Sequence, residues 1–172
     1  MILWFSGISG VGKTTIAKKT YKILKKNNKN FIWIDGDEFR KIFKNDLKYT
    51  LKDRNKNAER ICSFVKFISE QNINIILSAN LTSNKYRIWC KNNLKDYLNI
   101  YIRSNLKILK MRDKKNIYNQ NQRLNNVVGF GIKNVKPIKV DYFIENNSSK
   151  KKFLDEIKKI IKILKSEKIK IY

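Results

Sequence analysis

The sequence predicts one α/β domain over residues 1–172, built on a five-stranded parallel sheet with helices on both faces. Short runs of consecutive apolar residues alternate with longer segments in which apolar residues recur at helical spacing. Strands without polar alternation are buried on both faces, which is typical of parallel sheets. A chain of 172 residues with 42% hydrophobic content can bury one ordinary core.

The first half of the chain follows the pattern strand, glycine loop, helix, strand. Residues 1–5 form the first apolar run, and helical spacing follows from 13 to about 26. A second run at 31–34 ends at Asp35-Gly36-Asp37, which places two carboxylates at the carboxyl edge of the sheet, where open α/β sheets bind their ligands. Asp53 is then predicted to cap a helix from about 55 to 71.

The second half continues the alternation of strands and helices. We predict a strand at 73–77, a helix capped by Ser83 and ending near 94, a strand at 98–102 and a helix at 105–111. Periodicity is lost between 112 and 136, which predicts a mobile lid loop rather than core. A strand at 140–144 and a helix at 150–165 complete the domain. That last helix is basic and amphipathic, as membrane-surface helices are, but a sheet covered on both faces needs it for closure.

The composition is strongly basic, with 39 Lys and Arg against 14 Asp and Glu, giving a formal charge of +25. Such a charge attracts polyanions, so a nucleic-acid-binding module that uses ATP as a switch is one hypothesis. The lysines are spread along the whole chain, however, and no basic stripe with interleaved aromatic residues stands out. This distribution favours compositional drift together with attraction of anionic nucleotides, and makes a nucleic-acid partner unlikely.

Cysteine usage and hydropathy predict a soluble cytoplasmic protein. No apolar run approaches the roughly 18 residues needed to cross a bilayer, and the first residues lack the features of a signal peptide. Cys62 and Cys90 are far apart in sequence and no histidine is present, so neither a zinc site nor a disulfide is indicated. Both are expected to be reduced thiols in or near the core.

The segment Gly7-Ile8-Ser9-Gly10-Val11-Gly12-Lys13-Thr14 matches the P-loop pattern G-x-x-x-x-G-K-T. It stands in the required context, after a buried strand and at the start of a helix. Its glycines let backbone N–H groups face phosphate oxygens, and the helix adds its positive end. We therefore expect a P-loop fold that binds ATP, with Lys13 between the β- and γ-phosphates and Thr14 binding Mg²⁺.

The residues leave two candidates for a second acid that supports the metal. The strand at 73–77 ends in Ser78-Ala79-Asn80, without an acid. Asp35 and Asp37 are the remaining candidates, of which one could support the hydrated metal and the other accept a proton from an attacking hydroxyl. Turn formation around Gly36 would also explain both aspartates.

Four segments in this order resemble the adenylylsulfate (APS) kinase family, whose members phosphorylate the 3′-hydroxyl of adenosine 5′-phosphosulfate. The resemblance covers nearly the whole chain and rests on Ser6–Ala17, Asp35–Arg40, Asp53–Asn57 and Arg112–Tyr118. It implies a nucleotide acceptor, ATP with Mg²⁺, and catalytic roles for Asp37, Lys13 and Ser78, the last at a serine that is phosphorylated in some members. It is also compatible with a homodimer.

The resemblance also assigns binding residues. The ATP site it implies consists of Gly7, Ser9, Gly10, Val11, Gly12, Lys13, Thr14, Thr15 and Arg112. The metal site would use Thr14 and Asp35. The acceptor site would consist of Asp35, Asp37, Arg40, Tyr49, Arg54, Asn57, Ser78, Asn80, Lys115, Val127 and Gly129. Residues from Arg112 to Tyr118 would belong to the lid.

Two departures from the family pattern concern the acceptor. Ser78-Ala79-Asn80-Leu81 stands where the family has Ser-Pro-aromatic-Arg, so a substrate-side arginine is missing. One of the two aromatic residues that clamp the acceptor's adenine corresponds to Tyr49, whereas the other position holds Val127. An aromatic platform contributes about 1–3 kcal/mol per base, so losing one should weaken selection for a purine.

With these two departures the sequence resembles the cytidine diphosphoramidate kinase branch of the family. That branch acts in the assembly of the capsular phosphoramidate of bacteria. That acceptor carries a smaller base and an uncharged amide in place of sulfate oxygens. The resemblance therefore implies a 3′-kinase for cytidine diphosphoramidate, with adenylylsulfate as the alternative acceptor.

Overall fold

The computed structural model describes residues 1–113, 118, 126–129, 131–166 and 171. Five strands and six helices follow one another along these residues. They are β1 (Ile2–Ser6), α1 (Lys13–Asn27), β2 (Phe31–Asp35), α2 (Gly36–Ile42), α3 (Leu51–Glu70), β3 (Asn74–Ser78), α4 (Asn84–Asn93), β4 (Tyr97–Arg103), α5 (Leu106–Met111), β5 (Tyr142–Glu145) and α6 (Lys150–Ser166). The five strands form one parallel sheet in the order β2-β3-β1-β4-β5, so the predicted fold class is confirmed.

The sheet is covered on both faces because β1 is apolar throughout. Leu3 and Phe5 face a cluster that contains residues of α1 and α6. Ile2 and Trp4 face the opposite cluster, which contains residues of α2, α3 and α4. Each of these four side chains is completely buried, which explains why the sequence shows an uninterrupted apolar run there. Closure of the sheet by α6 is confirmed.

Two helix boundaries differ from the prediction. The turn at Asp35-Gly36-Asp37 opens α2, a helix that the sequence did not predict. The Asp35 side chain caps it by accepting a hydrogen bond from the Asp37 N–H. Helix α3 begins at Leu51 and is capped by Thr50, so the predicted cap at Asp53 is wrong. The N–H of Asp53 donates to Thr50 Oγ, and its carboxylate accepts from that hydroxyl, which is a reciprocal cap three residues into the helix.

The described part of the predicted lid is not all outside the core. Tyr118, Val128 and Ile132 are buried in the same cluster as α1 and α6, next to Ile8 and Val11 of the glycine loop. The prediction of a loop without core residues is therefore wrong at these three positions. Scattered apolar residues without periodicity gave no signal of this packing.

The two cysteines are free, and both are buried in the cluster against α3 and α4, as expected. Their sulfur atoms lie 3.6 Å apart although 28 residues separate them in sequence. Within the described residues, we find no helix with the length and apolarity needed to span a membrane.

Candidate active site

The glycine loop connects β1 to α1 at the carboxyl edge of the sheet. Its glycines adopt positive φ angles, of 139° at Gly7, 77° at Gly10 and 99° at Gly12. The apolar side chains of Ile8 and Val11 are buried and anchor the loop. Lys13 Nζ donates to the carbonyl oxygen of Ile8, at 2.8 Å. The loop thus has the backbone form that cradles phosphates, with its lysine folded along it.

The N-terminus of α1 has no side-chain cap, because its N-cap residue is Gly12. The N–H groups of the first turn therefore point out of the helix end together with the positive end of its dipole. Thr14 and Thr15 are exposed on this turn, whereas Ser9 is half-buried in the loop. A helix start of this kind binds anions.

Asp35 connects three elements of the site through its carboxylate. Oδ2 accepts hydrogen bonds from Thr14 Oγ1 and from Ser78 Oγ, each at 2.8 Å. Oδ1 accepts from the Asp37 N–H at 3.0 Å. The parallel pairing of β2 with β3 places Asp35 directly beside Ser78, so the order of the strands brings together residues from three distant parts of the sequence.

Ser78 is almost fully buried, with 2% of its surface exposed. Its hydroxyl donates to Asp35 and accepts from Trp33 Nε1 at 3.3 Å. Sequence reasoning did not single out Trp33. Its position two residues before Asp35 on the same strand was the only available signal.

A hydroxyl and a carboxylate oxygen therefore lie in contact where Thr14 and Asp35 were expected to support a metal. Mg²⁺ prefers oxygen ligands and is usually held by one or two protein groups together with substrate phosphates. Among the described residues no group of three or more acidic, histidine or cysteine side chains could form a metal cage. The pair of Thr14 and Asp35 fits this sparse type of site.

Tyr49 lies near the end of the 43–50 connection between α2 and α3, next to two arginines. The residue is 48% exposed. The guanidinium carbon lies 4.9 Å from the ring centre for Arg40 and 5.3 Å for Arg54. The tyrosine thus offers one aromatic platform between two positive charges.

The two arginines differ in burial and in their hydrogen-bond partners. Arg40 is 7% exposed, and its Nη1 donates to the carbonyl oxygens of Leu47 and Lys48 at 3.3 and 3.1 Å. Arg54 donates to the carbonyl oxygens of Tyr49 and Asn126, at 2.9 and 2.8 Å. Burial, followed by repulsion from Arg40, lowers the pKa of Arg54, while the negative charge of Asp37 acts in the opposite direction. An anion between the arginines would relieve their repulsion.

Asp37 is exposed in the first turn of α2. Its negative charge counteracts the lowering of the Arg54 pKa by burial and by Arg40. Asn57 is buried, and its Oδ1 has no hydrogen-bond partner among the described residues. Asn80 is half-buried directly after Ser78 and Ala79.

The base of the predicted lid contacts the glycine loop. The Tyr118 hydroxyl donates to the carbonyl oxygen of Ser9 at 2.6 Å. Burial, followed by the nearby Asp113, raises the pKa of Tyr118 to about 12, so the hydroxyl keeps its proton at neutral pH. Gly129 lies beside Ile8, and Val127 is half-buried against the same cluster. Lys115 lies outside the described residues.

Arg112 is hydrogen-bonded to Asn146, a residue that the sequence did not predict as part of the site. Arg112 Nη1 donates to both the backbone and the side-chain oxygen of Asn146, at 3.0 and 3.1 Å. Asn146 is buried and follows β5 directly. A polar residue shortly after the last predicted strand, at the carboxyl edge of the sheet, was the signal that could have identified it.

Sequence comparisons relate the chain to one protein family. The family model described as adenylylsulphate kinase matches residues 1–145. Cytidine diphosphoramidate kinase of Campylobacter jejuni is 35% identical over 165 residues, which cover 95% of each chain. Adenylyl-sulfate kinase of Buchnera aphidicola from Acyrthosiphon pisum is 32% identical over 173 residues, covering 98% of this chain and 82% of that protein.

The fold comparison agrees with the sequence comparison. The Mycobacterium tuberculosis APS kinase CysC, solved in complex with AMPPNP and APS, superposes with a TM-score of 0.78 at 22% identity, covering 95% of this chain and 96% of that one. A gluconokinase from Sinorhizobium meliloti superposes with a TM-score of 0.63 at 12% identity, covering 96% and 95%. The matched family and the two relatives named above are kinases, which favours an enzyme over the nucleic-acid-binding module suggested by the charge.

Proposed function

The chain belongs to the adenylylsulfate kinase family and is therefore a phosphotransferase acting on a hydroxyl group, and on that basis we propose that it phosphorylates the 3′-hydroxyl of cytidine diphosphoramidate with ATP. The observation that carries the proposal is the identity of 35% over 95% of both chains with a protein of that activity. The composition of the acceptor side supports it independently.

On the donor side, the glycine loop and the uncapped start of α1 bind the triphosphate. Lys13 exchanges the carbonyl oxygen of Ile8 for phosphate oxygens, which is favourable because a charged acceptor strengthens the hydrogen bond. Thr14 and Asp35 would hold Mg²⁺, which neutralises charge on the phosphates when it is bound. Ser78 and the N–H of Asp37 hold the Asp35 carboxylate in place.

On the acceptor side, Asp37 orients the hydroxyl and accepts its proton, and Arg40 and Arg54 attract the phosphate groups. Phosphoryl transfer needs positioning and charge stabilisation more than covalent catalysis. The acid on α2 and the arginine pair around Tyr49 can supply both. The 3′-hydroxyl attacks the γ-phosphorus of ATP in line, and ADP leaves with the oxygen that bridged the two phosphates.

The acceptor's identity is argued from two positions. Leu81 occupies the place of the family's substrate-side arginine, is 2% exposed and packs in the core cluster against α3 and α4. This position therefore offers no positive charge to a sulfate group. Val127 replaces the second aromatic residue and is half-buried, so Tyr49 is the one aromatic residue at the two family clamp positions. One ring and fewer cations suit a pyrimidine nucleotide with an uncharged amide.

The test is a side-by-side measurement of kcat/KM for cytidine diphosphoramidate and adenylylsulfate with ATP and Mg²⁺. We expect the cytidine compound to be preferred by at least about 10-fold, corresponding to about 1.4 kcal/mol, with phosphorus NMR showing the new phosphate on the 3′-oxygen. A preference for adenylylsulfate would identify the alternative acceptor, which the 32% identity to the Buchnera aphidicola protein supports. Turnover of neither compound would contradict both assignments.

A further inference from the structure

Asn146 connects the glycine loop to the base of the lid through its side-chain amide. Nδ2 donates to the carbonyl oxygen of Val11 at 3.0 Å, and Oδ1 accepts from Arg112 Nη1 at 3.1 Å. The residue is 7% exposed. A buried amide is stable only when its donors and acceptors have partners, so both contacts constrain its orientation.

We propose that Asn146 is a positioning residue for ATP, which holds the phosphate-binding loop and the Arg112 guanidinium at a fixed separation. The loop is expected to bind the triphosphate, and the family resemblance assigns Arg112 to the same ATP site. Because Asn146 already holds the loop and Arg112 in place, ATP binding does not have to order them. The affinity for ATP is therefore higher than it would be for a mobile loop and a mobile arginine. The proposal rests on the ATP site of the proposed function and not on the identity of the acceptor.

The surroundings of Asn146 make this bridge rigid. Its backbone N–H donates to the carbonyl oxygen of Arg103 at 2.9 Å, and its carbonyl oxygen accepts from Ser104 Oγ at 2.9 Å. Arg112 Nη2 donates in addition to the carbonyl oxygen of Ser148 at 2.7 Å. Both Nη atoms of the guanidinium therefore have acceptors, which fixes its orientation.

The chemistry requires an amide at this position. Aspartate would keep an acceptor for Arg112 but would place a negative oxygen against the Val11 carbonyl. Alanine would remove both contacts and leave the Val11 oxygen without its donor. The loop packs closely here, because a Cβ atom at Gly12 would lie 3.0 Å from Asn146 Nδ2 and equally close to two ring carbons of Phe153. Glycine, with a φ of 99°, permits this approach.

The experiment measures binding of AMP-PNP by calorimetry, without acceptor, to the wild type and to Asn146→Ala, Asn146→Asp and Asn147→Ala. Asn147 is the matched control: its Oδ1 accepts from Ser104 Oγ and the Asn105 N–H, and among the described residues its side chain has no hydrogen bond to the glycine loop or to Arg112. We expect the Kd to rise about 10-fold in both Asn146 variants, the typical effect of leaving a buried group unpaired. Asn147→Ala should bind as the wild type does.

Kinetics and thermal unfolding then separate positioning from general destabilisation. In the Asn146 variants the KM for ATP should rise while the KM for the acceptor stays within about 2-fold of the wild type. Asn146→Asp keeps the size of the side chain and so provides a folded variant if Asn146→Ala unfolds. Unchanged AMP-PNP affinity in a folded Asn146 variant would overturn the proposal, as would equal increases in both KM values. Failure of the acceptor assignment would leave the AMP-PNP results unaffected.

Discussion

Replacing Gly7 with alanine tests whether the glycine loop depends on the backbone geometry described above. Gly7 has a φ of 139°, and a Cβ atom there would lie 2.3 Å from the carbonyl oxygen of Ile102 and 3.0 Å from Val11 Cγ2. The first distance is more than about 1 Å short of an unstrained contact. Because the obstacle is the backbone of β4, a side-chain rotation cannot relieve it.

The cost has two parts. A non-glycine residue in a sparsely populated φ region costs about 1–3 kcal/mol, and forced overpacking costs a further ~1–3 kcal/mol. The total of about 2–6 kcal/mol is a large share of the roughly 5–15 kcal/mol that stabilises a typical domain. At about 2–4 °C per kcal/mol for a chain of this size, the melting temperature should fall by about 4–24 °C.

Gly10→Ala provides the matched control. Gly10 also has a positive φ, of 77°, but its Cβ atom would come no closer than 3.4 Å to a neighbour, Tyr118 Cε2. Only the backbone term of about 1–2 kcal/mol applies there. Urea and thermal unfolding of both variants would measure the difference. Equal stabilities for the two variants, or wild-type stability for Gly7→Ala, would refute this reasoning.

Three further predictions concern single side chains. Lys13→Ala should reduce kcat by at least about 100-fold while circular dichroism and the melting temperature remain those of the wild type; retention of most activity would reject the phosphate site. Tyr49→Ala should raise the KM for the acceptor by about 5–150-fold, the equivalent of losing one stacked base at about 1–3 kcal/mol, with the KM for ATP unchanged. Tyr49→Phe keeps the ring and should behave as the wild type, and an equal loss in both variants would exclude stacking. The hydrogen bond to Cys90 and burial raise the pKa of Cys62. A thiol reagent at pH 8 should therefore react with Cys62 and Cys90 only after urea unfolds the protein. Fast labelling of the native protein would show that the two thiols are accessible.

The sheet could be predicted from the sequence because its central strands β1, β3 and β4 are buried almost throughout. The apolar run at 1–5, the mostly apolar segment at 73–77 and the glycine pattern after the first run could be recognised without knowledge of the fold. Helix α2 could not be recognised, since seven residues are too few to show a helical period and Asp35-Gly36-Asp37 is also a turn sequence.

The contacts within the site depend on strand order, which no local pattern contains. Asp35 and Ser78 are 43 residues apart and meet because β2 pairs with β3. Asn146 reaches Val11 across 135 residues of sequence. Sequence reasoning can name residues of suitable chemistry at strand ends, but only the tertiary structure shows which of them touch.

The most direct test of the account is the effect of Asp37→Asn on kcat and on ATP affinity, with Glu38→Gln as the control. Both substitutions remove one carboxylate charge from the exposed start of α2, but Glu38 pairs with Lys41. If Asp37 orients the acceptor hydroxyl, Asp37→Asn should lower kcat by about 100-fold or more, with the Kd for ATP within about 2-fold of the wild type. Glu38→Gln should change neither. Equal losses of kcat and ATP affinity in Asp37→Asn would contradict the account and place Asp37 on the metal instead.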